Sequence, residues 1–390
     1  MRKIICTVGV FAVLLFAWNS CRHAQKQENI MPSKEQLLSD TGRILPVYSD
    51  ERFTNFFPLR FNFTGALTSR FGNKATPKPR QPLPVDTVDI AKAFPENQAG
   101  LQNGLYVTWL GHSTVMLQID GIRVLLDPVF SNSVSPVPWL MDVRRFQPNP
   151  PTSIEKLPFI DAVFISHDHY DHLDKKTILE LNSKVGFFIT PLKVGEYLRK
   201  WGIDSAKIRE YGWWQEAAIQ GVSGKNLHFA CTPARHSSSR LMFIGQGKNL
   251  WSSWVFWGDT HRVFFSGDTG YDVHFRQIGT HYGPFDLTII ESGQYGVNWP
   301  DIHLMPEDAV KAHIELRGKK MLPVHWGSFN LSPHNWWEPI ERASSEALRQ
   351  GVNLLTPRIG QTLQIDANVT TLNWWQEFLS ESKTQLSSTP

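Results

Sequence analysis

The chain has 390 residues, a formal net charge of +3 and 41% hydrophobic residues, enough to bury a sizeable core in one large domain or two. So weak a charge, with no Lys/Arg-rich block and no nucleic-acid motif, argues against nucleic acid, and no nucleic-acid partner is expected. Three cysteines argue against a disulfide framework. The 15 tryptophans read first as core and surface fillers, with a cleft or face that meets apolar ligand or lipid as the alternative.

Arg2 and Lys3 precede an apolar run from Ile4 to Trp18, followed by Asn19, Ser20 and Cys21. A basic start, a short apolar stretch and a small residue before cysteine read as a secretory leader over 1–21. Cleavage before Cys21 and lipidation of its thiol would give a bacterial lipoprotein. Trp18 stands where that pattern usually has Leu, and an uncleaved anchor is the alternative. Either way the folded part is expected to be exported and tethered to a membrane of the cell envelope.

Residues 22–100 read as a polar tether, to about residue 51, and then an arm rich in Phe, Arg and Pro. From Phe53 to Val85 there is no acidic residue, while Arg60, Arg70, Lys74, Lys78 and Arg80 are interleaved with phenylalanine. Such an arm packs its phenylalanines on the main domain, or lies on an anionic bilayer. Pro77, Pro79, Pro82 and Pro84 predict an extended connector.

The main domain is expected over 101–380, with a polar tail at 381–390. Leu105 to Leu110, Thr114 to Ile119 and Arg123 to Asp127 read as strands, the last two joined by a tight turn at Asp120-Gly121. A long loop over 128–151 leads to a strand from Ile160 to Ser166, then a helix over Lys175 to Leu181. Phe187 to Thr190 is expected as a strand, Leu192 to Lys200 as a helix, and Ile208 to Tyr211 and Leu227 to Thr232 as strands. Cys231, in the last of these, reads as a small buried apolar residue. Trp251 to Trp257, Arg262 to Ser266, Leu287 to Glu291 and Met321 to His325 follow as strands. Helices are expected over Pro306 to Leu316 and Glu338 to Gln350, with a short strand at Asn353 to Thr356.

One stretch is dense in ligand side chains: His167-Asp168-His169-Tyr170-Asp171-His172-Leu173-Asp174. It lies between an apolar strand and a helix, on a loop where ligands converge. Residues two apart in an extended loop point the same way, so His167 and His169 can hold one metal while Asp171 and His172 turn toward a second. Asp127, His167, His236, Asp268 and His325 each follow an apolar strand. Strand ends of a layered α/β fold gather such residues into one mouth. A lone histidine there is more often structural, but five such positions together point to a site.

The His-x-His-x-Asp-His run resembles the signature of the metallo-β-lactamase superfamily. Within it the chain is similar to the N-acyl-phosphatidylethanolamine-hydrolysing phospholipase D family. The stretches that carry this are 108–115, Asp127 to Ser131, Leu157 into the His/Asp run, Gly267 to Tyr271, Gly283 to Leu287 and Val324 to Phe329. The resemblance implies an α/β fold, the αββα sandwich of two mixed sheets with helices on the outer faces. It implies that His167, His169 and His236 bind one ion, that Asp171, His172 and His325 bind another, and that Asp268 bridges them. Two zinc ions suit these ligands, and iron or manganese suits them too. Two ions held together lower the pKa of a shared water toward neutrality, and the resulting hydroxide attacks phosphorus.

By the same resemblance Asp171, Asp268 and His303 carry catalysis, His303 by substrate positioning or proton transfer, with a polar loop residue as its plain alternative. Asp127 and Asp174 are expected to orient ligand histidines. His112 is placed near the mouth, or is a hydrogen-bonded core histidine. Ser237 to Arg240 and Ser292 to Trp299 depart from the family pattern and are expected to border the substrate. The implied activity is a phospholipase D-type phosphodiesterase acting on a phospholipid at a membrane surface. A lactonase or soluble-phosphodiester hydrolase with the same site is the alternative. A metal-binding envelope lipoprotein without turnover is a third reading, against which the complete ligand set weighs.

Overall fold

The computed structural model describes residues 43–62, 64–65, 68, 77–94, 104–135, 142–240 and 246–379. The leader with Cys21, the tether up to residue 42 and the 381–390 tail lie outside the described residues. In chain order the elements are Val47–Ser49 (β1), Arg52–Thr54 (β2), Ile90–Ala93 (α1), Leu105–Trp109 (β3), Val115–Ile119 (β4), Ile122–Leu126 (β5) and Ile160–Phe164 (β6). Lys175–Leu181 (α2), Val185–Pro191 (β7), Gly195–Lys200 (α3), Ile208–Tyr211 (β8), Glu216–Gln220 (β9) and Asn226–Thr232 (β10) follow. Ser253–Trp257 (β11), Arg262–Phe265 (β12), His274–Tyr282 (α4), Phe285–Glu291 (β13), Pro306–Glu315 (α5), Gly318–Val324 (β14), Glu338–Gln350 (α6) and Thr362–Gln364 (β15) complete the series.

Two sheets carry the fold. One has the order β15-β3-β4-β5-β6-β7-β8, the other β14-β13-β12-β11-β10-β9. Each begins as an antiparallel meander and continues with parallel strands, from β5 to β8 in the first and from β12 to β14 in the second. Parallel neighbours need crossovers, and α2, α3, α4 and α5 lie between successive parallel strands. The architecture is the αββα sandwich.

The strand period of two explains how β6 serves both layers. Ala162 and Phe164 join the core between the sheets, while Val163 and Ile165 pack with Ile178 and Leu181 of α2 and Leu198 of α3. Phe164 meets Phe229 at 5.0 Å, Trp254 at 5.3 Å and Phe256 at 4.7 Å across the gap. The Trp254 indole N–H donates to the Ile165 carbonyl at 3.1 Å, so one side chain spans both sheets. Trp326 packs on Trp109, Trp374 and Trp375 with centroids 5.2, 5.6 and 5.8 Å away. These tryptophans are buried, as the core-filler reading expects. Cys231 is buried too, and burial pushes its thiol up.

The arm packs on the domain: Ile44, Phe53, Phe56 and Leu83 belong to the main core. The end of the expected tether is therefore not free chain, because β1 pairs with β2 through Val47 and Thr54. The expected strand at Asn353 to Thr356 is a single bridge between Met321 and Leu354. Pro357 follows at once and has no N–H to continue a ladder. Six elements were not anticipated. β1, β2 and α1 are only three or four residues long. β9 is short and half exposed, α4 carries Gly279 inside it, and β15 is only three residues long.

Candidate metal centre

β5 and β6 run parallel, and β10, β12, β13 and β14 share one direction in the other sheet. Their C-terminal ends meet at one rim of the sandwich, and the expected ligands stand there. Two of the turns off the strands are left-handed, at Asp127 with φ 38° and His325 with φ 69°. Such backbone costs about 1–3 kcal/mol and persists where the surroundings fix it. Here the His325 N–H donates to the His112 carbonyl at 3.0 Å, and the His112 N–H donates to Ser328 Oγ at 2.8 Å. The β3–β4 loop is thus tied to the opposite sheet. Gly267, at φ 55°, lets the chains before Asp268 and His167 touch, since a Cβ there would lie 2.5 Å from Ser166 Cβ.

Three groups of four side chains result; one, Asp268, Glu291, His303 and His325, shares a member with each of two separate sets. His167, His169, His236 and Asp268 form one; His112, Asp171, His172 and His325 form the other; within each set the ligand atoms lie within 4.8 Å of one another. The His172 and His167 rings, one from each set, have centroids only 4.2 Å apart. Asp268 Oδ2 lies 3.1 Å from His172 Nε2 and 3.8 Å from His167 Nε2, within reach of both sets.

The sets fit metal ions. Nε2 of His167, Nε2 of His172 and Oδ1 of Asp268 are buried and have no hydrogen-bond partner, and such orphans are costly unless an ion takes them up. Burial, with help from neighbouring rings, holds the imidazoles of His167, His236 and His325 well below their ordinary range and leaves their lone pairs free. Burial also takes His169 down to about 4. His172 differs: burial lowers it, but Asp268, Asp171 and Asp127 together outweigh that and raise it. Burial and Glu291 push Asp268 up to about 7, despite His172. An ion in the centre would reverse this crowding of unbalanced charge.

Supporting contacts orient the ligands. Asp127 Oδ2 accepts from His172 Nδ1 at 2.7 Å, and its two oxygens accept from the Ser166 N–H at 2.7 Å and hydroxyl at 2.6 Å. His236 Nδ1 donates to the Ile302 carbonyl at 2.8 Å. His112 is buried at the rim with Nε2 2.8 Å from Asp171 Oδ2, so it is both near the mouth and hydrogen-bonded. Asp174 does not orient a ligand histidine. Its carboxylate accepts from the Lys176 N–H, the Thr177 hydroxyl and the Ser131 N–H, because it caps α2.

His303 reaches the rim from the other side, its ring 5.2 Å from that of His236 and 5.3 Å from that of His325. Its Nδ1 lies 2.9 Å from Oε2 of Glu291, a fully buried carboxylate at the end of β13 that the sequence reading passed over. The same signal that marked Asp127, an acidic residue ending an apolar strand, was present there. The arm was also missed as part of the centre. Asn55 Nδ2 donates to the His236 carbonyl at 2.6 Å, and Asp301 holds Arg60 at 2.8 Å and Arg235 at 3.1 Å.

A family model described as Beta-lactamase superfamily domain matches residues 122–326, a span that starts at β5 and ends just after His325. The chain belongs to the metallo-β-lactamase superfamily. An uncharacterized protein of Mycobacterium tuberculosis is 41% identical over 344 residues, covering 85% of this chain and 87% of its own. The N-acyl-phosphatidylethanolamine-hydrolyzing phospholipase D 1 of Caenorhabditis elegans is 35% identical over 251 residues, covering 62% of this chain and 69% of its own. Among solved structures, the metallo hydrolase Igni18 of Ignicoccus hospitalis has the same fold, with a TM-score of 0.50, 21% identity, and coverage of 67% of this chain and 98% of that one. This metallo-β-lactamase-fold chain is a metal-dependent hydrolase.

Two segments of this metallo-β-lactamase chain depart from the pattern expected by resemblance, and both brace the centre. Arg240 donates to the Asp168 and Leu173 carbonyls at 2.9 and 2.8 Å and stacks 3.9 Å over the Tyr170 ring, gripping the ligand loop. Gln294 donates to the Phe329 carbonyl at 3.1 Å and accepts from the Leu331 N–H at 3.0 Å, fixing the loop after His325.

Proposed function

We propose that this chain is a phosphodiesterase of phospholipase D type, using two zinc ions to cut N-acyl-phosphatidylethanolamine or a related phospholipid. The observation that carries this is the pair of ligand sets, all nitrogen and oxygen, meeting at Asp268. When bound, the ions supply an acidified water and neutralise charge building on phosphoryl oxygens. The protein's own part is placement. His172 is held by Asp127, and His236 by the Ile302 carbonyl, so their free nitrogens aim at fixed points. No serine or cysteine nucleophile is needed. His303, part exposed at the mouth, is the side chain placed to meet the substrate.

The lipid part of the reading is supported by the name of the Caenorhabditis relative and by the rim itself. Phe61 is 48% exposed and stacks on Trp299, Val297 is 81% exposed, and Arg60 reaches solvent beside them. Such a lip suits an anionic lipid surface. The leader and Cys21 support an exported, membrane-tethered enzyme. Among the described residues no helix is long and apolar enough to cross a membrane.

The test is release of phosphatidic acid from N-acyl-phosphatidylethanolamine in mixed micelles, alongside a soluble phosphodiester and a lactone. Activity on the lipid that is abolished by chelation and by Asp268→Asn, and restored to the wild type by zinc, is the expected result. Preference for the lactone or the soluble diester would overturn the lipid assignment. Turnover that survives both chelation and the substitution would overturn the metal mechanism.

A further inference from the structure

We infer that Glu291 and His303 work as a pair, with Glu291 positioning the imidazole of His303 to pass a proton to the leaving oxygen. This rests on reading the centre as one that hydrolyses phosphodiesters. Glu291 is fully buried where β13 ends, and its Oε1 is fixed by the Thr269 N–H at 2.6 Å. That leaves Oε2 to take His303 Nδ1 at 2.9 Å. Thr269 follows directly on Asp268, so the backbone that presents the bridging carboxylate also anchors Glu291. The His303 ring is further wedged between His236 and His325, lying within 18° of parallel to the latter. Both its rotation and its tilt are therefore set.

With Nδ1 committed to Glu291, Nε2 is the nitrogen left over, and among the described residues it makes no hydrogen bond. The step balances simply. Water oxygen bonds to phosphorus, the bond from phosphorus to the leaving oxygen breaks, and its electron pair stays on that oxygen. His303, as the imidazolium, delivers its Nε2 proton there and is left as neutral imidazole with Nδ1–H still on Glu291; the proton shed by the attacking water restores the imidazolium. Glu291 touches neither substrate nor ion in this scheme; it acts through His303.

The test uses the zinc-loaded full chain with Glu291→Ala, Glu291→Gln and His303→Asn. Ring-nitrogen NMR of ¹⁵N-histidine protein, with His303 assigned by its loss in His303→Asn, should show a protonated Nδ1 that Glu291→Ala abolishes. On an alkyl phosphodiester, Glu291→Ala should lower kcat about 10- to 100-fold at unchanged KM and zinc content. On an aryl diester, whose leaving oxygen needs no proton, the loss should be under about 3-fold. Glu291→Gln, which keeps the shape and one acceptor, should retain part of the activity and is the variant to use if Glu291→Ala loads zinc poorly. Unchanged His303 resonances, or equal losses on both diesters, would overturn the pairing. A wild type inactive on every phosphodiester, with the NMR change intact, supports the positioning of His303 while sinking the phosphodiesterase reading.

Discussion

Asp127 holds His172 by a 2.7 Å hydrogen bond from Nδ1 to Oδ2, and the same carboxylate reaches the other ligand set through Ser166, whose hydroxyl lies 2.9 Å from His167 Nδ1. One side chain thus orients a ligand of each set. Asp127→Ala should weaken metal binding about 10- to 100-fold, read by competition with a chromophoric chelator. Asp174→Ala is the contrast. It should remove a helix cap worth about 1 kcal/mol and lower the melting temperature without changing metal affinity.

Arg240 makes two charge-assisted bonds to carbonyls of the ligand loop, at Asp168 and Leu173. Arg240→Ala should cost about 2–3 kcal/mol in urea unfolding of the metal-free protein. If the loop instead borders substrate at this point, KM would rise with stability unchanged.

Gly267 stands where the chain after β12 packs against the chain after β6, with Ser166 Cβ 2.5 Å and the Ser252 carbonyl 2.8 Å from any added Cβ. Gly267→Ala must push His167 and Asp268 apart. A loss of about 1–3 kcal/mol in unfolding free energy is expected, with a fall in bound zinc by elemental analysis.

At the far end of the sandwich His261 sits between Asp120 and Asp366, 2.6 Å from each. Its hydrogen bond to Asp120 raises it from 6.5 to about 9. A raised histidine stabilises fully below its unfolded pKa, and that contribution is lost as pH climbs from about 6.5 through about 9. The melting-temperature gap between wild type and His261→Gln should therefore be widest near pH 6 and close by about pH 9.5. A gap independent of pH would show that His261 acts by shape alone.

Much of the centre was legible in sequence because its ligands carry chemistry that strands rarely end on. His167 to His172 crowd into one loop, and Asp268 and His325 each close an apolar run. Spacing could not say what a carboxylate does after it leaves a strand. Asp174 reads equally as a ligand support and as a helix cap, and the Lys176 N–H on its carboxylate decides for the cap. Glu291 carries the strand-end signal of Asp127, but its pairing with His303, twelve residues on, shows in no local pattern. Asn55 was out of reach altogether, since its bond to His236 spans 181 residues of chain. The β9 and β15 strands were missed because short edge strands bury too little to show a period.

Each ligand set draws on both sheets: His167 and His169 follow β6 while His236 and Asp268 follow β10 and β12, and His112, Asp171 and His172 face His325 at the end of β14. Neither layer supplies a whole set alone. The ions would then be rivets through the sandwich, and loading them is a mechanical event as much as a chemical one. Apoprotein should hinge open at this rim first, and zinc should close it, raising resistance to proteolysis in step with metal occupancy.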